Sequence, residues 1–132
     1  MSTISLIGAG SWGTALAQVL ADNSHQTVLR CCDEKDVNLI NACHINPAYL
    51  QESLLPNSIV ATMDLVKAMQ GAEYLVVAVP SKAFSTVLAE MQPYYSGQAV
   101  IIATKGLSPT DELFFSRQVQ RVLCTDKVAL LS

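Results

Sequence analysis

Charged residues are scarce in this sequence, and the positive ones do not cluster. Charged side chains make up 14% of the 132 residues, with eight Lys and Arg against eleven Asp and Glu and a formal net charge of −3. A protein that binds a nucleic-acid backbone needs a basic stripe or patch to neutralise phosphates. The sequence has no such stripe, so we expect no nucleic-acid partner.

The sequence also lacks the patterns of metal sites, signal peptides and membrane spans. No two of its four cysteines show the C-x-x-C spacing of zinc or redox sites, so we predict reduced thiols and no metal. A signal peptide has positively charged residues before its apolar stretch, and the apolar amino-terminal stretch of this chain has none before it. Glycines interrupt that stretch before it reaches the ~20 apolar residues of a membrane span. We therefore expect a cytoplasmic protein without a membrane span.

What the sequence does contain is an alternation of short apolar strands and helices. Hydrophobic residues make up 51% of the chain, which suits a parallel sheet covered on both faces. Strands are predicted at Thr3–Ile7, Gln26–Arg30, Ile59–Thr62, Tyr74–Val79, Ala99–Ala103 and Val128–Leu131. Helices are predicted at Thr14–Leu20, Asp33–Ile40, Leu65–Met69, Lys82–Met91 and from Pro109 to about Leu123, with Ser81 and Ser108 as N-caps.

This order of elements predicts the fold class. Strands that alternate with helices imply right-handed crossovers and a parallel sheet. We expect one α/β domain over residues 1–132, a Rossmann-like, doubly wound and mainly parallel sheet. The stretch from Asn41 to Ser58 shows no clear period and is predicted to be a loop with a short helical turn.

The strongest functional motif is the glycine loop Gly8–Gly13, with the sequence G-A-G-S-W-G, between the first strand and the first helix. Gly8 allows a tight turn, Gly10 lets the backbone approach a pyrophosphate, and Gly13 lets the helix pack closely on the strand. The helix N-terminus adds N–H groups and partial positive charge, which favour an anionic diphosphate. The motif in this position predicts dinucleotide binding.

Charged residues at two other strand ends are candidates for the same site. The dinucleotide fingerprint expects an acidic residue at the end of the second strand to bond a ribose hydroxyl, and Asp33 or Glu34 could serve. Asp33 could equally be the N-cap of the next helix. Lys105 follows the fifth strand, where a cation can bind a phosphate or polarise a carbonyl, unless it is simply a solvated loop lysine.

Four segments together resemble the bacterial type of NAD(P)-dependent glycerol-3-phosphate dehydrogenase. They are Gly8–Ala17, Asn46–Leu50, Val77–Ser81 and Ala103–Leu107. The resemblance implies reversible hydride transfer between NAD(P)H and a small-molecule substrate, dihydroxyacetone phosphate, to give sn-glycerol 3-phosphate for glycerophospholipid synthesis. It also implies that a helical domain with the catalytic lysine follows Ser132, that no catalytic residue lies in residues 1–132, and that the full-length enzyme can form a homodimer.

The resemblance implies a set of cofactor-binding residues besides Gly8, Gly10 and Gly13, namely Ser11, Trp12, Cys32, Tyr49, Phe84 and Lys105. Lys105 would also meet the substrate. Cys32 stands near the adenosine ribose where relatives have a basic or bulky residue, so a usual anchor for the 2′-phosphate of NADP is missing and the choice between NAD and NADP stays open. Tyr49 is followed by Gln51 and Glu52 rather than Pro-Gly, and a packed loop tyrosine is an equal interpretation.

Two other functions are compatible with the glycine loop alone. One is a non-catalytic dinucleotide-binding module that senses redox state or serves a partner chain. The other is a related Rossmann dehydrogenase of hydroxy acids or ketopantoate, which shares the loop and the Val-Pro turn. The Ala-Thr-Lys-Gly stretch at residues 103–106 argues against that second alternative.

Overall fold

The structure is a computed structural model that describes residues 2–47, 54–106 and 109–131. The strands are β1 (Thr3–Ile7), β2 (Gln26–Arg30), β3 (Val60–Thr62), β4 (Tyr74–Val77), β5 (Ala99–Ile102) and β6 (Val128–Leu130). The α-helices are α1 (Ser11–Asp22), α2 (Glu34–Cys43), α3 (Leu65–Met69), α4 (Phe84–Met91) and α5 (Pro109–Val122). Short 3₁₀ turns at Ser81–Ala83 and Gln92–Tyr94 flank α4.

The strands form one sheet in the order β3-β2-β1-β4-β5-β6, and every neighbouring pair is parallel. The chain runs outward from β1 to β3, then returns to the other side of β1 and runs outward again. This arrangement confirms the predicted Rossmann-like sheet. It places the topological switch point between β1 and β4, where open α/β sheets bind their ligands beyond the carboxyl ends of the strands.

The core lies on both faces of the sheet. Leu6 and Leu29 pack on the face covered by α1 and α2. Ile7, Leu75 and Val100 pack on the opposite face, which α3, α4 and α5 cover. Burial on both faces explains why the central strands carry so few polar residues. In the described part of the chain, no helix is long and apolar enough to cross a membrane.

Helix α2 extends three residues beyond its predicted end at Ile40, so the loop predicted from Asn41 begins too early. The extension has a physical reason in the side chain of Asn41. Its Nδ2 donates to the carbonyl oxygen of Ala61 at 3.0 Å, and its Oδ1 accepts from the N–H of Ala61 at 2.8 Å. The amide thereby pairs with both backbone groups of one residue in the edge strand β3 and holds α2 against it.

One predicted N-cap, Ser81, is wrong, and another, Ser108, cannot be tested. Ser81 does not cap a helix, because it begins the 3₁₀ turn in which Ala83 N–H donates to the carbonyl oxygen of Pro80 at 2.9 Å. Helix α4 then starts at Phe84 without a side-chain cap. Ser108 lies outside the described residues, and α5 begins at Pro109 as predicted. The remaining differences at strand ends are one or two residues.

We expect Phe84→Ala to lower the free energy of unfolding by about 3–5 kcal/mol. The ring is fully buried, and its centroid lies 4.5 Å from that of Phe115. Phe114→Ala is the matched control, because Phe114 is 53% exposed and should lose less than about 1 kcal/mol. Urea unfolding followed by circular dichroism measures both.

Equal losses in the two variants would contradict the placement of Phe84 in the core. If the Phe84→Ala chain does not fold, Phe84→Leu gives a smaller version of the same comparison. It retains much of the buried side chain while it still removes the ring contact with Phe115.

Candidate functional site

A cleft of about 500 Å³ opens at the carboxyl ends of the central strands. Its walls are the glycine loop, residues 32, 33 and 36 after β2, residues 78–81 after β4 and residues 103–105 after β5, with Ala83 and Val87 behind them. The cleft therefore spans the switch point between β1 and β4. Its volume is that of a typical small-molecule or cofactor site.

The three glycines of the loop have different surroundings. Gly8 has a φ of +124°, and a Cβ there would lie 2.5 Å from the carbonyl oxygen of Ala78. A Cβ at Gly13 would overlap the carbonyl oxygen of Gly8 and touch the side chain of Ala78. A Cβ at Gly10 would meet no atom within 4 Å. Because Gly8 and Gly13 have no side chains, the loop can pack closely on the segment after β4 and the helix on the loop, whereas Gly10 leaves open space over the loop.

Helix α1 directs its N-terminus at this open space. Gly10 is the N-cap and offers no side chain to accept a hydrogen bond, and the first turn contains no acidic residue. Gly10, Ser11 and Trp12 all line the cleft, while the buried Gly13 packs behind it. The positive end of the helix dipole therefore lies at the cleft without a carboxylate of its own helix, an arrangement that favours an anionic ligand.

Asn46 holds the glycine loop in place from a distant part of the sequence. Its side chain is buried, and Nδ2 donates to the carbonyl oxygen of Ala9 at 2.9 Å and to Oγ1 of Thr14 at 2.6 Å. Asn46 lies in one of the segments that carry the family resemblance, but no role was predicted for it from the sequence. The only signal was that resemblance, because its partners lie 32 and 37 residues away in the chain.

Trp12 and Lys105 meet on the β5 side of the cleft. The indole Nε1 donates to the carbonyl oxygen of Ala103 at 2.9 Å, which ties the start of α1 to the end of β5. Lys105 Nζ lies 4.9 Å from the centroid of the Trp12 ring, within the range of a cation–π contact. The structure thus brings together two of the predicted site residues and places a cation beside the glycine loop.

The β2 side of the cleft carries negative charge. Cys32, Asp33 and Asp36 line it, whereas Glu34 does not. Asp33 accepts a hydrogen bond from the N–H of Lys35 at 2.9 Å, so it is the N-cap of α2 and lines the cleft as well. Asp36 was not predicted from the sequence. The dinucleotide fingerprint expects its acidic residue at the end of the second strand, whereas Asp36 lies in the first turn of α2.

The adjacent cysteines at the end of β2 differ sharply in accessibility. Cys31 is 1% exposed, whereas Cys32 is exposed and lines the cleft. Burial raises the pKa of the Cys31 thiol to about 11, and the nearby carboxylate of Asp36 adds to the shift. Cys31 is therefore an unreactive core residue, and Cys32 is the thiol that a ligand in the cleft would cover.

Of the predicted cofactor contacts, Phe84 does not line the cleft, and Tyr49 cannot be placed. Phe84 is fully buried and packs on Phe115, so its ring belongs to the core, and Ala83 and Val87 reach the cleft instead. A direct contact between Phe84 and a ligand there would require the ring to leave the core. Tyr49 lies outside the described residues.

Comparison with known proteins identifies the family. A family model described as "NAD-dependent glycerol-3-phosphate dehydrogenase N-terminus" matches residues 3–132. The chain belongs to this family. The match confirms the resemblance drawn from the glycine loop and the three later segments. It also favours this family over the dehydrogenases of hydroxy acids or ketopantoate.

Individual glycerol-3-phosphate dehydrogenases show the extent of the similarity. The Bacillus velezensis protein named glycerol-3-phosphate dehydrogenase [NAD(P)+] is 40% identical over 93% of this chain, and that from Halorhodospira halophila is 42% identical over 90%. A crystal structure of the Coxiella burnetii glycerol-3-phosphate dehydrogenase superposes with a TM-score of 0.84 at 32% identity, over 98% of this chain and 39% of that one. The chain spans 36% of the length of each of the two sequence relatives.

We expect Gly13→Ala to lower the free energy of unfolding by about 3 kcal/mol or more, because the new methyl group would overlap backbone that cannot move freely. Gly10→Ala adds the same group in open space and should cost no more than about 1 kcal/mol, mainly through the weaker N-cap. Urea unfolding of the two variants gives the comparison. A Gly13→Ala chain as stable as Gly10→Ala would contradict the close packing of α1 on the loop.

Proposed function

We propose that residues 1–132 form the dinucleotide-binding domain of an NAD(P)-dependent glycerol-3-phosphate dehydrogenase. The observation that supports this most directly is the open space over Gly10, at the N-terminus of α1 and in a cleft at the switch point of the sheet. A site of this form is suited to a diphosphate, because it offers backbone N–H groups and the helix dipole without a side chain in the way. The reaction class is taken from the relatives, which are named glycerol-3-phosphate dehydrogenase [NAD(P)+].

The residues of the cleft fit a dinucleotide along its whole length. Gly10 and Ser11 would hold the pyrophosphate against the first turn of α1. Cys32 and Asp36 would face the adenosine ribose after β2. Pro80, whose fixed φ makes the turn after β4 rigid, would form an edge beside the nicotinamide. The bound nicotinamide supplies the hydride chemistry, and the protein supplies its orientation.

Lys105 is proposed to bind both the cofactor and the phosphate or carbonyl of dihydroxyacetone phosphate. Its ammonium lies beside the glycine loop in contact with the Trp12 ring, where a positive charge can act on a phosphate or a carbonyl. The product would be sn-glycerol 3-phosphate. Its use in glycerophospholipid synthesis, the cytoplasmic location and a homodimer of the longer enzyme stay predictions.

Nucleotide binding is the property of these 132 residues that tests the proposal. We expect Lys105→Ala to weaken the binding of NADH about tenfold, because it removes the one cation that lines the described cleft. Lys127→Ala is the matched control. It removes the same charge from a lysine whose Nζ donates to the carbonyl oxygen of Gly97, at the amino ends of β5 and β6, whereas the cleft lies at the carboxyl ends of the strands. Isothermal titration calorimetry measures both affinities.

Failure of the unaltered chain to bind NADH or NADPH at millimolar concentration would overturn the proposed function. Equal weakening of the NADH affinity by Lys105→Ala and Lys127→Ala would leave the proposed function standing. It would exclude a direct contact between Lys105 and the nucleotide, because the effect would then follow from net charge alone.

We expect a dinucleotide to protect one cysteine from alkylation. Iodoacetamide at pH 8 should label the exposed Cys32, Cys43 and Cys124, whereas Cys31 should react only after unfolding. With a pKa of about 11, roughly one Cys31 thiol in a thousand is ionised at that pH, and burial blocks the reagent as well. Added NADH should slow the labelling of Cys32 alone, because only Cys32 of these three lines the cleft.

Peptide mapping by mass spectrometry follows each thiol separately, so Cys43 and Cys124 act as internal controls. Protection of all three thiols would indicate general stabilisation rather than a ligand over Cys32. No protection of Cys32 at a nucleotide concentration that saturates binding would place the ligand elsewhere.

A further inference from the structure

Asn46 and Thr14 form a network of hydrogen bonds behind the glycine loop. Asn46 is 2% exposed and Thr14 is fully buried, and neither lines the cleft. Nδ2 of Asn46 donates to the carbonyl oxygen of Ala9 and to Oγ1 of Thr14, and this hydroxyl donates in turn to the same carbonyl oxygen at 3.4 Å. The carbonyl oxygen of Ala9 therefore accepts two hydrogen bonds on the buried side of the loop.

These bonds fix the orientation of the peptide group between Ala9 and Gly10. This peptide bond is trans, so its C=O and its N–H point in opposite directions. With the oxygen of Ala9 held toward Asn46, the N–H of Gly10 points away from the network. It has no acceptor among the described residues, and Gly10 lines the cleft with open space over it. The N–H is therefore available to a ligand in the cleft.

The end of α2 defines the position of Asn46. His44 has a φ of +59°, and its N–H donates to the carbonyl oxygen of Ile40 at 3.0 Å. The next N–H, that of Ile45, donates to the carbonyl oxygen of Leu39 at 3.3 Å. A left-handed cap of this kind ends a helix in a defined turn. Asn46 follows this turn directly, so its side chain reaches the loop from a chain segment that backbone hydrogen bonds hold.

We infer that Asn46 is a positioning residue for dinucleotide binding, and that it acts through Ala9 and Thr14 on the N–H of Gly10. The inference rests on the proposed function, because it concerns the pyrophosphate contact of the same site. If the peptide group turned over, the carbonyl oxygen of Ala9 would face the diphosphate and repel it. The two hydrogen bonds oppose that rotation, so the loop presents a donor to the ligand before the ligand arrives.

Two substitutions of Thr14 separate hydrogen bonding from packing. Thr14→Val keeps the shape of the side chain and removes the hydroxyl, and we expect it to weaken NADH binding about fivefold. Thr14→Ser keeps the hydroxyl and removes a buried methyl group, so the urea midpoint should fall while the affinity stays within about twofold of the unaltered chain. Isothermal titration calorimetry measures the affinities. Equal affinities in the two variants would overturn the inference, because the hydroxyl would then have no role in binding.

Asn46→Ala removes both hydrogen bonds from the amide and should weaken NADH binding about tenfold. Gln98→Ala is the matched control. Gln98 is 8% exposed, and its Nε2 donates to the carbonyl oxygen of Met69 at 2.9 Å, at the amino end of β5 and away from the cleft. This control should lower the urea midpoint as Asn46→Ala does, but it should leave the affinity for NADH unchanged.

Equal loss of affinity in Asn46→Ala and Gln98→Ala would overturn the inference and leave the proposed function standing, since general destabilisation would explain both. An unchanged affinity in Asn46→Ala would also overturn it. If Asn46→Ala does not fold, the comparison of the two Thr14 variants decides. Failure of the unaltered chain to bind NADH or NADPH would overturn the proposed function and this inference with it.

Discussion

The close approach of the glycine loop to its own helix and to β4 is the constraint on which the rest of the site depends. With hydrogen in place of a side chain at Gly13, α1 can begin directly against the carbonyl oxygen of Gly8. With hydrogen at Gly8, the loop can lie against Ala78 after β4. A methyl group at Gly13 would overlap the loop, and one at Gly8 would overlap the backbone after β4, so either would force these segments apart.

The charged side chains that line the cleft differ in sign between its two sides. The centre has the positive end of α1, the β5 side has Lys105 against Trp12, and the β2 side has Asp33 and Asp36. A ligand with phosphates in the middle and a hydroxyl-bearing sugar at one end fits this distribution. The fold alone does not explain the pattern, because many functions share this sheet, and the side chains at the strand ends carry the specificity.

The sequence was sufficient to predict the features that depend on local pattern. The strand–loop–helix order around Gly8–Gly13, the parallel sheet and the meeting of Trp12 with Lys105 at one site followed from spacing and family resemblance. The features that sequence reasoning missed depend on contacts between distant segments. Asn41 extends α2 through a bond to β3, and Phe84 enters the core because Phe115, 31 positions later, packs on it. No local period encodes either contact.

Asn46 carries a further consequence for how the site assembles during folding. Its bonds to Ala9 and Thr14 join the glycine loop to a segment that follows β2 and α2. Forming these contacts requires the chain between the two segments to close into a loop, which has an entropic cost. The glycine loop is therefore not a self-contained peptide motif. Its final form depends on Asn46, in the segment after α2, as well as on residues 8–13.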